Sequence, residues 1–314
     1  MKIKESGNQR LAEDMLSRPD ALGNKGIDIF EQKGIEFVYG YEKADIGISL
    51  HGAPVQGLTE DKCILFKTEP PIYNIFFGIN LQNESFMKQY LAVICDYMID
   101  DYPVHHFLIP REFKLIPTYF DRDKPYFLCM VLKNKSLGIS INSLVPSLYK
   151  YKKYSNMKKR KEIDKLCCKV IGPHNYHSYG RGWEKRCFKG SLPGNQNYDV
   201  IASHQFTLAL ENCSMPGYVT EKMMDTMFCG SIPVYLGATD VEKYVPKDTF
   251  IDIRDFDSYD KVIDFIVNLS SEEINIYRKR IKEFITSNQS YCFSSVAYAK
   301  NLLSILEKGG KLIC

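Results

Sequence analysis

No run of apolar residues in this 314-residue chain is long enough to cross a membrane as a helix; stretches such as Phe206–Leu210 and Ile232–Leu236 have strand length, where a membrane helix needs roughly 20 residues. The opening residues, Met1-Lys2-Ile3-Lys4-Glu5, lack the apolar core of a signal peptide, so a cytoplasmic protein is expected. No CxxC pair occurs among the ten cysteines, which stand singly except for Cys167-Cys168, and this excludes the usual structural zinc arrangement. An even number of cysteines would allow disulfides in a secreted protein; without a secretion signal, reduced buried thiols are expected. Neither sign of charge dominates: 41 Lys and Arg face 38 Asp and Glu, a net charge of +3, too mild for nucleic acid as the main partner. It suits an anionic small ligand if the positive groups gather in one cleft. There is no internal repeat and no long low-complexity segment.

What is present is a globular composition, 45% hydrophobic and 25% charged, of a length that suggests two domains. The first 25 or so residues are polar and read as a frayed or helical lead-in. Ile27–Phe30, Ile35–Tyr39, Ile46–Leu50 and Cys63–Phe66 read as short strands, and Phe86–Ile99 as a helix from its apolar spacing. Four prolines at 103, 110, 117 and 125 place an interdomain connection near Leu115–Lys124.

The second half alternates strand and helix. Strands are expected at Tyr126–Leu132, Phe206–Leu210, Ser231–Gly237 and Thr249–Ile253. Helices are expected at Arg160–Lys169, Thr220–Cys229 (stopped by Gly230), Asp240–Val245 and Ser258–Leu269. Ser270 and Glu273 have capping-box spacing before a helix over Glu272–Ile285, and a last helix spans about Phe293–Lys308. This alternation implies a parallel sheet with helices on both faces, whose ligands sit at the carboxyl ends of the strands.

One such end is rich in polar groups. A strand delivers Glu211 and Asn212 into a loop turned by Pro216-Gly217, and Tyr218, Thr220, Glu221 and Lys222 stand at the start of the next helix. Free amides and the positive dipole end suit a phosphate, Lys222 adds a full charge, Tyr218 a hydroxyl, and Glu221 can accept hydroxyl protons from a sugar. Spacing alone equally allows ordinary helix-end carboxylates and a solvated lysine. Tyr179-Gly180-Arg181-Gly182-Trp183 frees Arg181 between two glycines, a forked donor for diphosphate oxygens or the tip of a surface turn. Trp183, the single tryptophan, reads as packing. At Cys63-Ile-Leu-Phe-Lys-Thr-Glu69-Pro-Pro71 a strand exit stiffened by two prolines carries one carboxylate, where a general base would stand, although an exposed loop glutamate has the same look. Glu60, Asp61 and His51 are the other candidate bases. Asp100-Asp101 reads as a helix end, and no metal site is assigned. The basic, tyrosine-rich stretch Lys150–Lys161 reads as a solvated loop, with contact to an anionic membrane as the alternative.

Glu211-Asn212, Tyr218-Val219-Thr220-Glu221-Lys222, Gly230–Gly237 and Pro246…Thr249-Phe250-Ile251 together resemble the signature of the α1,3/4-fucosyltransferase family, with Cys213 where Ser or Thr is usual. Tyr179-Gly180-Arg181 is similar to a family element whose arginine contacts the diphosphate, and Thr68-Glu69-Pro70-Pro71 to one whose glutamate is the base. The donor-domain resemblance covers roughly residues 179–256. It implies a GT-B fold, two doubly wound Rossmann-like α/β domains facing across a cleft, with an acceptor domain at 1–118, a donor domain at 119–285 and a C-terminal helical segment at 286–314 that packs back on the first. It also implies an inverting transferase that moves L-fucose from GDP-β-L-fucose to a glycan or glycolipid hydroxyl, with Glu69 as base. Arg181, Glu211, Asn212, Tyr218, Thr220, Glu221 and Lys222 would bind the donor; no cofactor or metal is implied, nor nucleic acid as partner. A soluble short chain is more like bacterial or viral members, with at most peripheral membrane contact. Another GDP-hexose, or a non-catalytic sugar-nucleotide or glycan-binding protein on the same scaffold, remains the alternative.

Overall fold

The computed structural model describes residues 1–7, 10–68, 84–98, 104–133, 152–193 and 196–308. Two parallel sheets carry them. The first has six strands in the order β2-β1-β3-β4-β5-β6: β1 (Lys2–Glu5), β2 (Glu36–Phe37), β3 (Ile46–Leu50), β4 (Cys63–Lys67), β5 (Ala92–Cys95) and β6 (His105–His106). The second has five in the order β11-β10-β9-β7-β8: β7 (Tyr126–Val131), β8 (Tyr176–Tyr179), β9 (His204–Leu210), β10 (Ile232–Leu236) and β11 (Ile251–Asp252). The helices are α1 (Leu11–Leu16), α2 (Gly26–Gln32), α3 (Glu84–Met87), α4 (Leu115–Tyr119), α5 (Met157–Val170), α6 (Gln196–Ala202), α7 (Glu221–Phe228), α8 (Tyr259–Asn268), α9 (Ser271–Ile285) and α10 (Ser295–Glu307). Among the described residues no helix is long and apolar enough to cross a membrane.

The second half follows its sequence pattern except at β8 and α6, which the sequence reading did not place. Leu208, Leu210, Ile232 and Val234 are buried in the middle of their sheet, as continuous apolar runs require. Ser270 and Glu273 form the capping box of α9, and Gly230, at φ +66°, ends α7. The segment 240–245 closes into only a short 3-10 turn, Val241–Lys243.

The first half departs from its pattern in three places. Lys2–Glu5 is a strand inside the first sheet, not a lead-in. Its buried charges, Lys4 and Glu5, each have a backbone partner: the Lys4 ammonium donates to the Gly40 carbonyl at 3.2 Å, and the Glu5 carboxylate accepts the Ala12 and Glu13 amides at the start of α1 at 3.1 Å. Ile27–Phe30 is helical because α2 crosses α10 at very short range; a Cβ on Gly26 would lie 2.2 Å from the Ser295 carbonyl oxygen. The run Phe86–Ile99 is no single helix: a short turn of helix ends at Met87, and Ala92–Cys95, wholly buried between β4 and β6, is a strand. Asp100 and Asp101 lie outside the described residues.

The cysteine expectation also needs correction, since Cys168 of α5 is bonded to Cys187. The other seven described cysteines are free thiols, six of them buried, as expected.

The domains are joined by more than the connection. Residues Tyr298, Ala299, Leu302 and Leu303 of α10 sit in the core of the first sheet. The Arg111 guanidinium grips Asp225 of α7 in a buried fork, Nε to Oδ1 at 2.8 Å and Nη2 to Oδ2 at 2.7 Å.

Beneath the second sheet, His177 Nδ1 lies 2.9 Å from His204 Nε2, and His204 Nδ1 lies 2.6 Å from the Val200 carbonyl. A carbonyl only accepts, so His204 carries a proton on Nδ1, and a neutral His204 accepts at Nε2 from His177. Burial pushes His204 down to about 4 and lowers His177 as well. The unfolded chain, with histidines near 6.5, therefore takes up protons first. Stability should be intact above about pH 6.5 and fall toward pH 4 by up to about 1.4 kcal/mol per pH unit per histidine. Urea unfolding at several pH values should show this slope in the wild type and a shallower one in His204→Gln.

Candidate functional site

The second sheet changes direction between β7 and β9, which are neighbours in space although β8 lies between them in the chain. The crevice at the carboxyl ends of such strands is where open α/β sheets bind ligands. Here it is a cavity of about 210 Å³ lined by Val131, Leu132 and Lys133 from the end of β7, by Asn212, Tyr218, Thr220, Glu221 and Lys222 after β9, and by Arg160 of α5. Thr68 and Ile109 of the other half close it from across the cleft. A wider cavity of about 600 Å³ lies near α2 and α10, away from the carboxyl ends of the second sheet.

The loop from Glu211 to Lys222 owes its shape to a buried charge. Glu211 is fully buried; its carboxylate accepts the Thr220 amide at 2.8 Å, the Thr220 hydroxyl at 2.8 Å and the Lys222 ammonium at 3.1 Å. Lys222 also donates to Thr220 Oγ1 and Glu221 Oε1, each at 2.9 Å, so its three donors all have partners. Burial raises Glu211 above the usual carboxylate range even with Lys222 beside it. Burial works against the Lys222 ammonium, but the two carboxylates outweigh it and raise the lysine. Burial would likewise raise Glu221, yet Lys222 and Arg111 together hold it low. Glu221 is thus an anion poised at the cavity, and Lys222 a cation with two anionic neighbours. Thr220, the N-cap of α7, turns its hydroxyl into this network and makes no side-chain cap.

The expected residues divide. Asn212, Tyr218, Thr220, Glu221 and Lys222 meet at the cavity; Glu211 lies behind it and orders the others. Tyr218 is buried edge-on against Tyr97 of the first half, ring centroids 6.4 Å apart. Arg181 is exposed between Gly180 (φ +102°) and Gly182 (φ +86°) and does not line the cavity. Trp183 packs, donating its indole N–H to the Leu132 carbonyl at 2.5 Å. Glu69 lies outside the described residues, one position beyond Thr68. Glu60 and Asp61 stand at the opposite, amino end of β4, away from the cavity. His51 directly follows β3 with φ +53°, the one non-glycine residue with positive φ among those described, and its Nε2 lies 3.4 Å from Thr68 Oγ1.

Sequence reading missed Arg160. It stands among Lys158, Lys159 and Lys161 and reads there as part of a solvated patch. In the structure it is one of the largest fully buried side chains, its guanidinium donating to the Leu210 carbonyl. The available signal was the helical register: Arg160, Ile163, Asp164 and Cys167 share the buried face of α5. Among the described residues no group of three or more His, Cys, Asp or Glu could hold a metal ion.

Removing Lys222 should strand the Glu211 carboxylate without a counter-charge. Lys222→Met is expected to destabilise the fold by about 3–5 kcal/mol. Adding Glu211→Gln should recover part of that loss, because the buried charge goes with it. Thermal unfolding without nucleotide checks both. Independent, additive losses would mean that the pair is not coupled.

Residues 149–287 match the model of the glycosyltransferase family 10 (fucosyltransferase) C-terminal region. The chain is 30% identical over 122 residues to an α-(1,3)-fucosyltransferase of Helicobacter pylori, spanning 36% of this chain and 25% of that protein. It is 27% identical over 153 residues to the mouse 4-galactosyl-N-acetylglucosaminide 3-α-L-fucosyltransferase 9, spanning 48% of this chain and 36% of the relative. The matches therefore span only a quarter to about a third of these relatives' lengths. In fold the likeness extends further: an α1,3-fucosyltransferase solved with GDP-fucose superposes with a TM-score of 0.53 at 15% identity, over 100% of this chain and 91% of the other. The same enzyme class solved with GDP gives a TM-score of 0.52 at 16% identity, over 98% and 90%. The two facing parallel-sheet domains are a GT-B fold, and residues 149–287 carry the sequence pattern of the C-terminal region of the glycosyltransferase family 10 fucosyltransferases.

Proposed function

We propose that the chain transfers L-fucose from GDP-β-L-fucose to a hydroxyl of a glycan acceptor, with inversion at the anomeric carbon and an α1,3 linkage to N-acetylglucosamine or glucose. The observation that carries this reading is the cavity at the switch of the second sheet, where Arg160, Asn212, Tyr218, Thr220, Glu221 and Lys222 converge within the family-matched segment. A diphosphate there meets the Arg160 guanidinium, the start of α7 and the Lys222 ammonium. Lys222 exchanges one carboxylate partner for a phosphate oxygen. Glu221, released on its exposed side, accepts sugar hydroxyls together with Tyr218 and Asn212. Arg181 reaches the diphosphate from the rim.

In the transfer step the acceptor oxygen attacks the anomeric carbon, the bond to GDP breaks, and the acceptor proton passes to Glu69. Cations facing the departing phosphate stabilise the charge that develops on it, and this arrangement calls for no metal ion. The acceptor lies on the first domain, whose Thr68 reaches the same cavity. A glycolipid acceptor, a cytoplasmic location and at most peripheral contact with the inner face of a membrane go with this reading.

GDP should protect the protein against heat and UDP should not. At about 100 times its dissociation constant GDP would add about 2.7 kcal/mol. Equal protection by UDP would remove the GDP assignment, and faster turnover of another GDP-hexose would replace the sugar while keeping the site.

Glu69→Gln retains shape and removes basicity. Turnover of GDP-fucose should fall by about 10²–10⁴, with GDP affinity almost unchanged by calorimetry. Near-normal turnover would place the base elsewhere, with His51 at the neighbouring strand exit as the next residue to replace.

A further inference from the structure

The loop that carries the donor-site residues is held by the opposite domain. Cys213, Met215 and Tyr218 are buried in a cluster with Leu65, Val93, Cys95 and Tyr97 of the first sheet. The Met98 amide donates to the Pro216 carbonyl at 2.9 Å. A side chain, His106 at the end of β6, adds a second directional contact, to the next peptide. Its Nε2 lies 3.0 Å from the Gly217 carbonyl, and since that oxygen can only accept, Nε2 carries the proton. The same carbonyl accepts the Val219 amide at 2.8 Å, closing a tight turn that ends one residue before Thr220. Gly217 donates its own amide, which belongs to the preceding peptide, to Asp240 Oδ1 at 2.7 Å, so the peptide units on both sides of the Gly217 Cα are held. At φ +75° it must be a glycine for two reasons: the backbone angle, and a Cβ that would lie 2.7 Å from His106 Nε2. His106 is itself fixed. Its ring rests on Tyr244 with centroids 5.6 Å apart, and its carbonyl accepts from Asn301 of α10 at 2.8 Å.

We propose that His106 is a positioning residue of the donor site: its Nε2–H sets the Gly217 peptide so that the turn at 217–219 delivers Thr220, Glu221 and Lys222 to the cavity. The donor pocket is then completed across the cleft, by a first-domain side chain that touches no ligand. The apolar cluster would keep the loop in contact with the first domain without His106; the hydrogen bond fixes the orientation of one peptide. The inference rests on the reading of the cavity as a nucleotide site, so its test has a readout without nucleotide.

Two variants separate the hydrogen bond from packing. His106→Leu keeps bulk and removes the donor; His106→Gln places an amide N–H near the Nε2 position. GDP affinity would be measured by calorimetry, and hydrogen–deuterium exchange of residues 211–222 without ligand. His106→Leu should weaken GDP by about tenfold and speed exchange of the loop, as loss of one such bond implies. His106→Gln should stay within about twofold of wild type in both. Should His106→Leu fail to fold, Asp240→Ala, which frees the Gly217 amide on the other side, carries the same expectation. The proposal is overturned if the leucine variant changes neither readout, or if glutamine weakens both as much as leucine does. If wild type binds no GDP while leucine speeds loop exchange and glutamine does not, the nucleotide reading falls and the hold on the loop stands.

Discussion

A lysine ammonium set between two carboxylates organises the donor half. Taken alone, the Glu211 carboxylate at the buried end of β9 would be strongly disfavoured. Lys222 and two donors from Thr220 make it tolerable, and in meeting that need they bend the chain back from β9 to the first turn of α7. The loop is therefore not free to choose its conformation. Its path follows from the requirement that a buried anion be surrounded, and the exposed side of Glu221 and the edge of Lys222 face the cavity as a result.

The same helix is held at a second point by charge. Asp225, one turn after Glu221, is taken in a fork by Arg111 from the segment between β6 and α4. Arg111 also lowers Glu221, so one guanidinium both anchors α7 and tunes a carboxylate at its start. Buried pairs of this kind add little net stability over apolar packing, but they are intolerant of displacement. Together with Met215 and Tyr218 lodged in the first domain's core, they make the cleft wall a joint product of both halves.

This arrangement separates side chains that order the site from those that face it. Glu211 and Arg111 are spent on geometry. Arg160 does both: it donates to the Leu210 carbonyl at the end of β9 and lines the cavity. Arg181, held on an exposed turn between two glycines in the left-handed region, has freedom that Arg160 lacks. The two guanidiniums thus differ in setting, one buried at the cavity wall and one exposed on a turn outside it.

What the sequence determined by itself is mostly local. The capping box of Ser270 and Glu273, the stop at Gly230 and the buried runs of β7, β9 and β10 depend on neighbours a few residues away, and all are legible in the chain. The polar loop 211–222 was also legible, because its motif is contiguous. Only the tertiary structure decided the rest. Lys2–Glu5 is a strand because Gly40, Ala12 and Glu13 supply partners for its buried charges, and Gly26–Gln32 is a helix because α10 lies against it. Arg160 enters the site, Cys168 meets Cys187 and His106 reaches Gly217 through separations of 50, 19 and 111 positions. Local propensity carries no information about such pairs: a buried charge or a hydrogen-bond donor takes its meaning from the atom opposite, and that atom arrives only when the chain has folded.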